Sequence, residues 1–237
     1  MKNKILNLVL LCTLAISVIA NQVFLAGLEK TMGVNQGILS SISSIKLFSD
    51  TKLTGNLSDD ATKLSYVQGV PDKYGAELKV SFDQVENSMN IMKAFDPSYG
   101  NNKINLSSDQ KQRYITIGLK IACEFCCGTT GLVLANGDAS CGCAHSQAMR
   151  GLEAYLITKH GSDYTDDQIL RELARWKGHY FPKQMVQKTM DQITSGKYTP
   201  DVAALLLDVK LHKYGANDTK QPTQSDLQKA PDMVGGC

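Results

Sequence analysis

"CEFCCGTTGLVLANGDASCGCAH", residues 123–145, carries five of the chain's seven cysteines and one of its four histidines. How this stretch folds decides whether the thiols stand apart or meet. Cys123, Cys126 and Cys127 recur at i, i+3 and i+4, so on a helix Cys123 shares a face with both others. Leu132 to Ala135, then Asn136-Gly137, then Asp138 to Ser140 have the pattern of a short β-hairpin, Asn-Gly being the strongest short-range signal for a two-residue turn. With Asn136 and Gly137 at the centre of the turn, Ala135 faces Asp138, Leu134 faces Ala139 and Leu132 faces Cys141. Extending the register sets Thr130 opposite Cys143 and Cys127 opposite Ser146. The hairpin therefore predicts that Cys141, Cys143 and His145 fold back onto the helix end that carries Cys123, Cys126 and Cys127.

Outward from this stretch the sequence is helical. Tyr114, Ile117, Gly118, Ile121 and Ala122 follow Ser108 with helical spacing, which predicts a helix from about Ser108 to Phe125. A second helix is expected from Ala144 to His160, ended by Gly161. Thr165 or Asp166 caps a third, whose apolar stripe Ile169, Leu170, Leu173 and Trp176 stops at Gly178. Pro182 suits the first position of a fourth, which ends by Gly196. Thr199, Pro200 and Asp201 open a fifth, which reaches Tyr214. The expected fold is mainly α: a small domain of about five short helices over residues 107–215, with one short β-hairpin carrying the cysteine cluster.

Residues 66–106 read as a mixed strand and helix segment packing on that core. Within it "ELKVSFDQV", residues 77–85, alternates like a strand. Residues 31–65 are rich in Ser, Thr, Gly and Asn and show no sustained period, which suggests a stalk with a short helix around Gly37 to Phe48. The tail, residues 216–237, is polar and proline-dotted, with a lone Cys237, and reads as flexible.

The first thirty residues are of another kind. Lys2 and Lys4 precede an apolar run from Ile5 to Ala20 that continues to Leu28, long enough at about 24 residues to span a bilayer. This predicts an N-terminal membrane helix, a signal anchor that holds the body outside the cytoplasm, or a signal peptide cleaved after Ala20 that leaves it secreted. Cys12 within the run lacks a lipoprotein processing context. The formal charge of +2 gives no electrostatic case for a nucleic-acid partner.

Five cysteines and a histidine are a soft, surplus donor set. Zinc could use any four of Cys123, Cys126, Cys127, Cys141, Cys143 and His145. The C-x-C pair also suits Cu(I), whose two- or three-coordinate sites share bridging thiolates. An iron–sulfur cluster needs four cysteines, but the spacing matches neither common ferredoxin run. In an oxidising compartment, disulfides are the alternative. His160, His179 and His212 stand near helix ends and read as residues satisfied by dipole and carbonyls. Met149 is expected in the core, and Arg150 either balances thiolate charge or is solvated. Trp176, Tyr180 and Phe181 read as an aromatic junction packing the third helix on the fourth. No paired carboxylate or nucleophile–base spacing accompanies them, so the chain reads as a binding protein ahead of an enzyme.

"IACEFCCG", "NGDASCGCAHSQAMRGLEAYLITKHG" and "LRELARWKGHYFPKQM" together resemble a group of uncharacterised, membrane-anchored, mainly archaeal cysteine-cluster proteins, over about residues 70–214. The "CGCAH" core is also similar to PCYCGC-motif exported proteins, although "DASCGCAH" lacks their Pro, their Tyr and one cysteine position. The resemblance implies a metal-binding cysteine site. The functional expectation is an extracytoplasmic, membrane-anchored protein with a thiolate-rich site for a metal ion, Cu(I) or Zn, and a metal-exchange partner protein. A thiol–disulfide redox protein built on Cys123-Glu-Phe-Cys126, or a disulfide-stapled interaction domain, are the alternatives.

Overall fold

The central element is a helix buried on almost every side, a burial explained by what surrounds it. The computed structural model describes residues 52–214 and 231–235. The expected membrane helix, the helix around Gly37 to Phe48 and most of the tail lie outside them. Among the described residues the order is α1 (Leu57–Ser65), α2 (Tyr74–Leu78), α3 (Val85–Lys93), α4 (Ser108–Gly118), α5 (Glu124–Cys127), α6 (Ala144–Lys159), α7 (Asp166–Tyr180), α8 (Pro182–Ser195) and α9 (Pro200–Leu205). Helices α6 and α7 pack side by side at the centre; α3 and α4 cover α6, while α1, α8 and α9 cover α7. Ala148, Met149, Leu152 and Leu156 of α6 and Leu173, Ala174 and Trp176 of α7 are fully buried. Met149 is therefore a core side chain, as its helical spacing suggested.

Two glycines permit the closest packing. A Cβ at Gly151 of α6 would collide with the Met92 carbonyl at the end of α3, and one at Gly178 of α7 with the Ser65 carbonyl at the end of α1. Both crossings need bare backbone.

The helix starts follow their sequence signals. Ser107 and Thr165 close full capping boxes with Gln110 and Gln168, Pro182 and Pro200 stand in the first turns of α8 and α9, and Gly196 ends α8 in the left-handed conformation. Helix α7 runs through Gly178 to Tyr180. Other expectations are corrected. The helix from Ser108 stops at Gly118, because the Gly118 carbonyl that would accept from residue 122 accepts from the Leu132 N–H at 2.8 Å. The fifth helix ends at Leu205, where the Arg171 guanidinium takes the Ala204 and Leu207 carbonyls at 3.0 and 2.6 Å. The chain beyond it lays Leu206, Val209, Leu211 and Tyr214 on the core formed by α1 and α8.

The stretch read as strand, residues 77–85, runs from the end of helix α2 through a left-handed Lys79 and a turn at Phe82 and Asp83 to the start of α3. Val80 and Phe82 are buried there, so the alternation is real, but among the described residues no strand pairs with it. Residues 57–65, read within the stalk, form α1, capped by Asn56, with Leu57, Ala61 and Leu64 packed on Val186, Met190 and Ile193 of α8.

The hairpin is likewise reduced. Among the described residues there is no strand, only one antiparallel bridge, Val133 to Ala139. Gly137 donates to the Leu134 carbonyl at 2.9 Å and has φ +89°, so the turn spans Leu134 to Gly137, with glycine at its end. The observed pairing is one residue off the expected register. Such a slip exchanges the faces of the side chains.

Candidate metal centre

The sulfurs are positioned by three short devices. Cys123 occupies the N-cap of α5, with Cys126 and Cys127 following in a single turn that Gly128 closes at φ +66°. The three cysteines are thus not at the C-terminal end of a long helix, as the sequence suggested. Cys143 is the N-cap of α6; its sulfur accepts the Ser146 N–H at 3.4 Å. Between them the loop is clamped from below by Arg150. This residue is fully buried, forms a bidentate pair with buried Asp96 at 2.7 and 3.1 Å, and donates to the carbonyls of Cys141 and Leu132 at 2.9 and 3.3 Å. It is neither solvated nor in contact with the thiols; it holds the backbone that carries them.

The loop brings the sequence-predicted residues together in two overlapping groups. Ligand atoms of Cys123, Cys126, Cys143 and His145 all lie within 4.8 Å of one another, and so do those of Cys127, Cys141 and Cys143. Cys127 and Cys141 are joined as a disulfide, and Cys126 is disulfide-bonded as well, whereas Cys123 and Cys143 carry free thiols. The C-x-x-C pair Cys123 and Cys126 is therefore not the bonded one. The Cys123 and Cys143 sulfurs are 3.9 Å apart. A tetrahedral ion with metal–sulfur bonds of about 2.3 Å has edges of about 3.8 Å.

That sulfur pair is electrically divided. The hydrogen bond from Cys123 holds the Cys143 thiol down at about 4, against the opposing effect of burial and with help first from the His145 ring beside it and then from the Ser146 N–H. The same bond, with burial, pushes Cys123 far up. One proton is thus shared by a thiolate at a helix N-terminus and a buried thiol.

His145 completes the inner group. Its Nε2 meets the Val234 carbonyl at 2.7 Å, which makes Nε2 the protonated nitrogen. Its Nδ1 is buried without a hydrogen-bond partner, and the ring stands beside Cys143. Tyr180 and Phe181 back the ring at centroid distances of 4.9 and 5.0 Å. Of the expected aromatic junction, these two line the site, while Trp176 turns the other way, donating to the Tyr74 hydroxyl at 3.0 Å. His160 binds Glu77 and Asp163, and His179 binds the Val67 carbonyl, so neither joins the sulfurs.

Several residues that shape the site had no signal in the sequence. Val234 acts through its backbone and is tied down by its own N–H to the Tyr180 carbonyl at 3.0 Å and by the Asp232 to Lys183 pair at 2.8 Å. Lys177, fully buried, pairs with Asp201 and Glu124 at 2.8 and 3.2 Å; Lys188 pairs with the same two acids at 2.9 and 2.8 Å. This four-charge cluster fastens α5, through Glu124, to α7, α8 and α9. Lys177 also draws on the Cys123 sulfur electrostatically. A lysine flanked by Trp176 and Gly178 is a weak pointer to burial and no pointer to sulfur.

No family model, curated protein or solved structure matches the chain. The chemistry is therefore read from the geometry alone. A thiolate, a thiol and an imidazole nitrogen converge on one point, with more sulfur adjoining, at a depth that runs from buried Cys123 and His145 to exposed Cys127. Such a set can hold a soft or borderline metal ion.

Proposed function

We propose that this protein binds a soft metal ion, Cu(I) or Zn, through Cys123, Cys143 and His145, with Cys126 as a fourth donor once reduced. The observation that carries the reading is the buried, unpartnered Nδ1 of His145 beside two free sulfurs set at tetrahedral-edge spacing. A metal would satisfy that nitrogen and replace the shared proton, so binding should release acid. The carbonyl on Nε2 is the outer support that histidine ligands ordinarily have.

The location belongs to the same proposal. An N-terminal segment with Lys2 and Lys4 before an apolar run, together with a disulfide in the folded body, supports a protein held at a membrane with its body outside the cytoplasm. Among the described residues no helix is long and apolar enough to cross a membrane, and the apolar run lies outside them. In this setting the exposed sulfurs would hand metal to or take it from a partner protein, in line with the resemblance to membrane-anchored cysteine-cluster proteins. Nucleic acid is not a proposed partner.

The test is anaerobic purification of the full chain with elemental analysis. About one equivalent of copper or zinc is expected, with affinity lowered roughly 10- to 100-fold or more in Cys143→Ser. Metal-free protein that also fails to take up added Cu(I) or Zn overturns the reading. The Cys127–Cys141 disulfide beside the Cys143 thiolate favours a second reading, thiol–disulfide exchange. It requires a reduction potential in the range of exchange catalysts and not below about −300 mV, where structural disulfides lie.

A further inference from the structure

The two donor groups share Cys143, and that sharing has a stoichiometric meaning. Cys143 belongs both to the inner group, with Cys123, Cys126 and His145, and to the outer one, with Cys127 and Cys141. The groups also adjoin through Cys126 and Cys127, whose sulfurs are 3.7 Å apart. Only the disulfide between Cys127 and Cys141 keeps the outer group from presenting three thiolates.

We infer that reduction of the Cys127–Cys141 disulfide opens a second metal position, formed by Cys127, Cys141 and Cys143, in which Cys143 bridges two ions. This rests on the metal-binding reading of the inner group. The outer group has three sulfurs and no nitrogen, a set that suits trigonal Cu(I), with the bridging thiolate serving both ions. It is also the solvent-facing half: Cys127 is exposed and Cys141 half-buried, against buried Cys123 and His145. The redox step balances with a dithiol reductant: two electrons from the dithiol cleave the sulfur–sulfur bond, the reductant leaves as a cyclic disulfide, and its two protons pass to Cys127 and Cys141. Each thiol then gives its proton to solvent as it takes the metal. Capacity at the outer group thus follows the redox state of the Cys127–Cys141 bond, whereas reduction of Cys126 adds a donor to the inner group.

The experiment titrates the full-length chain with Cu(I), delivered from a chromophoric Cu(I) chelator, before and after anaerobic treatment with a dithiol and removal of the reductant. The oxidised protein should withdraw about one equivalent and the reduced protein about two, with a metal–metal scattering feature in X-ray absorption in the reduced state alone. Cys127→Ser/Cys141→Ser should withdraw about one in either state. Reduced wild-type protein that still takes up one equivalent overturns the second position and leaves the inner site standing. Oxidised protein that takes up none overturns the inner site itself. Two equivalents without metal–metal scattering overturn the bridge. The wild-type comparison needs no variant to fold, and helical circular dichroism of the double variant certifies its arm.

Discussion

His145 and His179 are anchored alike: each meets a distant backbone carbonyl through Nε2, that of Val234 at 2.7 Å and that of Val67 at 2.6 Å, and each leaves a buried Nδ1 unpartnered. Their company differs. His179 lies among Tyr66, Phe82 and Trp176, at centroid distances of 4.4, 5.0 and 6.2 Å, and burial pushes it down to about 4. Among the described residues no ligand group forms around it. His145 has the same anchor but faces Cys143. A buried imidazole nitrogen alone is thus only an unmet hydrogen-bonding demand, and neighbouring sulfurs make it a candidate ligand. The aromatic pocket is made by α7 and the links that follow α1 and α2, held by apolar contact; the sulfur loop is held by polar clamps.

Arg150 is where that contrast breaks most sharply. Arg150→Met leaves Asp96 buried without its cation, an expected loss of about 3–5 kcal/mol in urea unfolding, and frees the Cys141 and Leu132 carbonyls. Amide exchange should rise first over residues 119–143, while α7 around His179 keeps its protection. If α7 exchanges at the same rate, the two regions are one cooperative unit. Adding Asp96→Leu should recover part of the loss, since both charges then leave together.

Acid separates the regions from the other side. Unfolded His179 takes a proton near 6.5 and folded His179 only near 4, so as pH falls through that window the unfolded state binds more protons and stability drops. The full loss is about 3 kcal/mol. His179→Leu should flatten the urea midpoint between those pH values; a profile parallel to wild type would mean that His179 is not the group responsible. The smallest effect is expected from Thr165→Ala, which opens the capping box of α7 and should cost about 1 kcal/mol in thermal unfolding. Metal uptake should not change, and a variant that binds less metal would show that the cap reaches the loop.

The same divide governs what could be read from the sequence. Helices α6, α7 and α8 were legible because their signals are local: Thr165 with Gln168, Pro182 at a first turn and Gly196 after a last one. That the cysteines would gather was legible too, because a turn at Asn136-Gly137 must reverse the chain whatever its register. The register itself was not, because glycine with φ +89° can close a turn as well as centre one. Gly118 ends α4 through a carbonyl claimed by Leu132, fourteen residues on, which no i, i+4 count detects. Ile121 and Ala122 stay buried outside the helix, so their spacing imitates a continuation. Helix α1 hid in a polar stretch because three apolar residues suffice for its narrow contact with α8. Arg150 read only as a counter-charge for thiolates or a solvated residue because its partner, Asp96, is 54 positions away.

The bond between His145 and Val234 spans 89 residues, and it gives the site a place in time. When the cysteines and His145 leave the ribosome, the carbonyl that selects the imidazole tautomer has yet to be made. A nascent chain therefore offers sulfur before it offers an oriented nitrogen, and metal met early would be held by thiolates alone. On the proposed metal-binding reading, the full donor set would wait for α7, α8 and the segment around Val234 to arrive. Under the proposal that the body is exported, metal would be expected to load after translocation, once the folded body is complete.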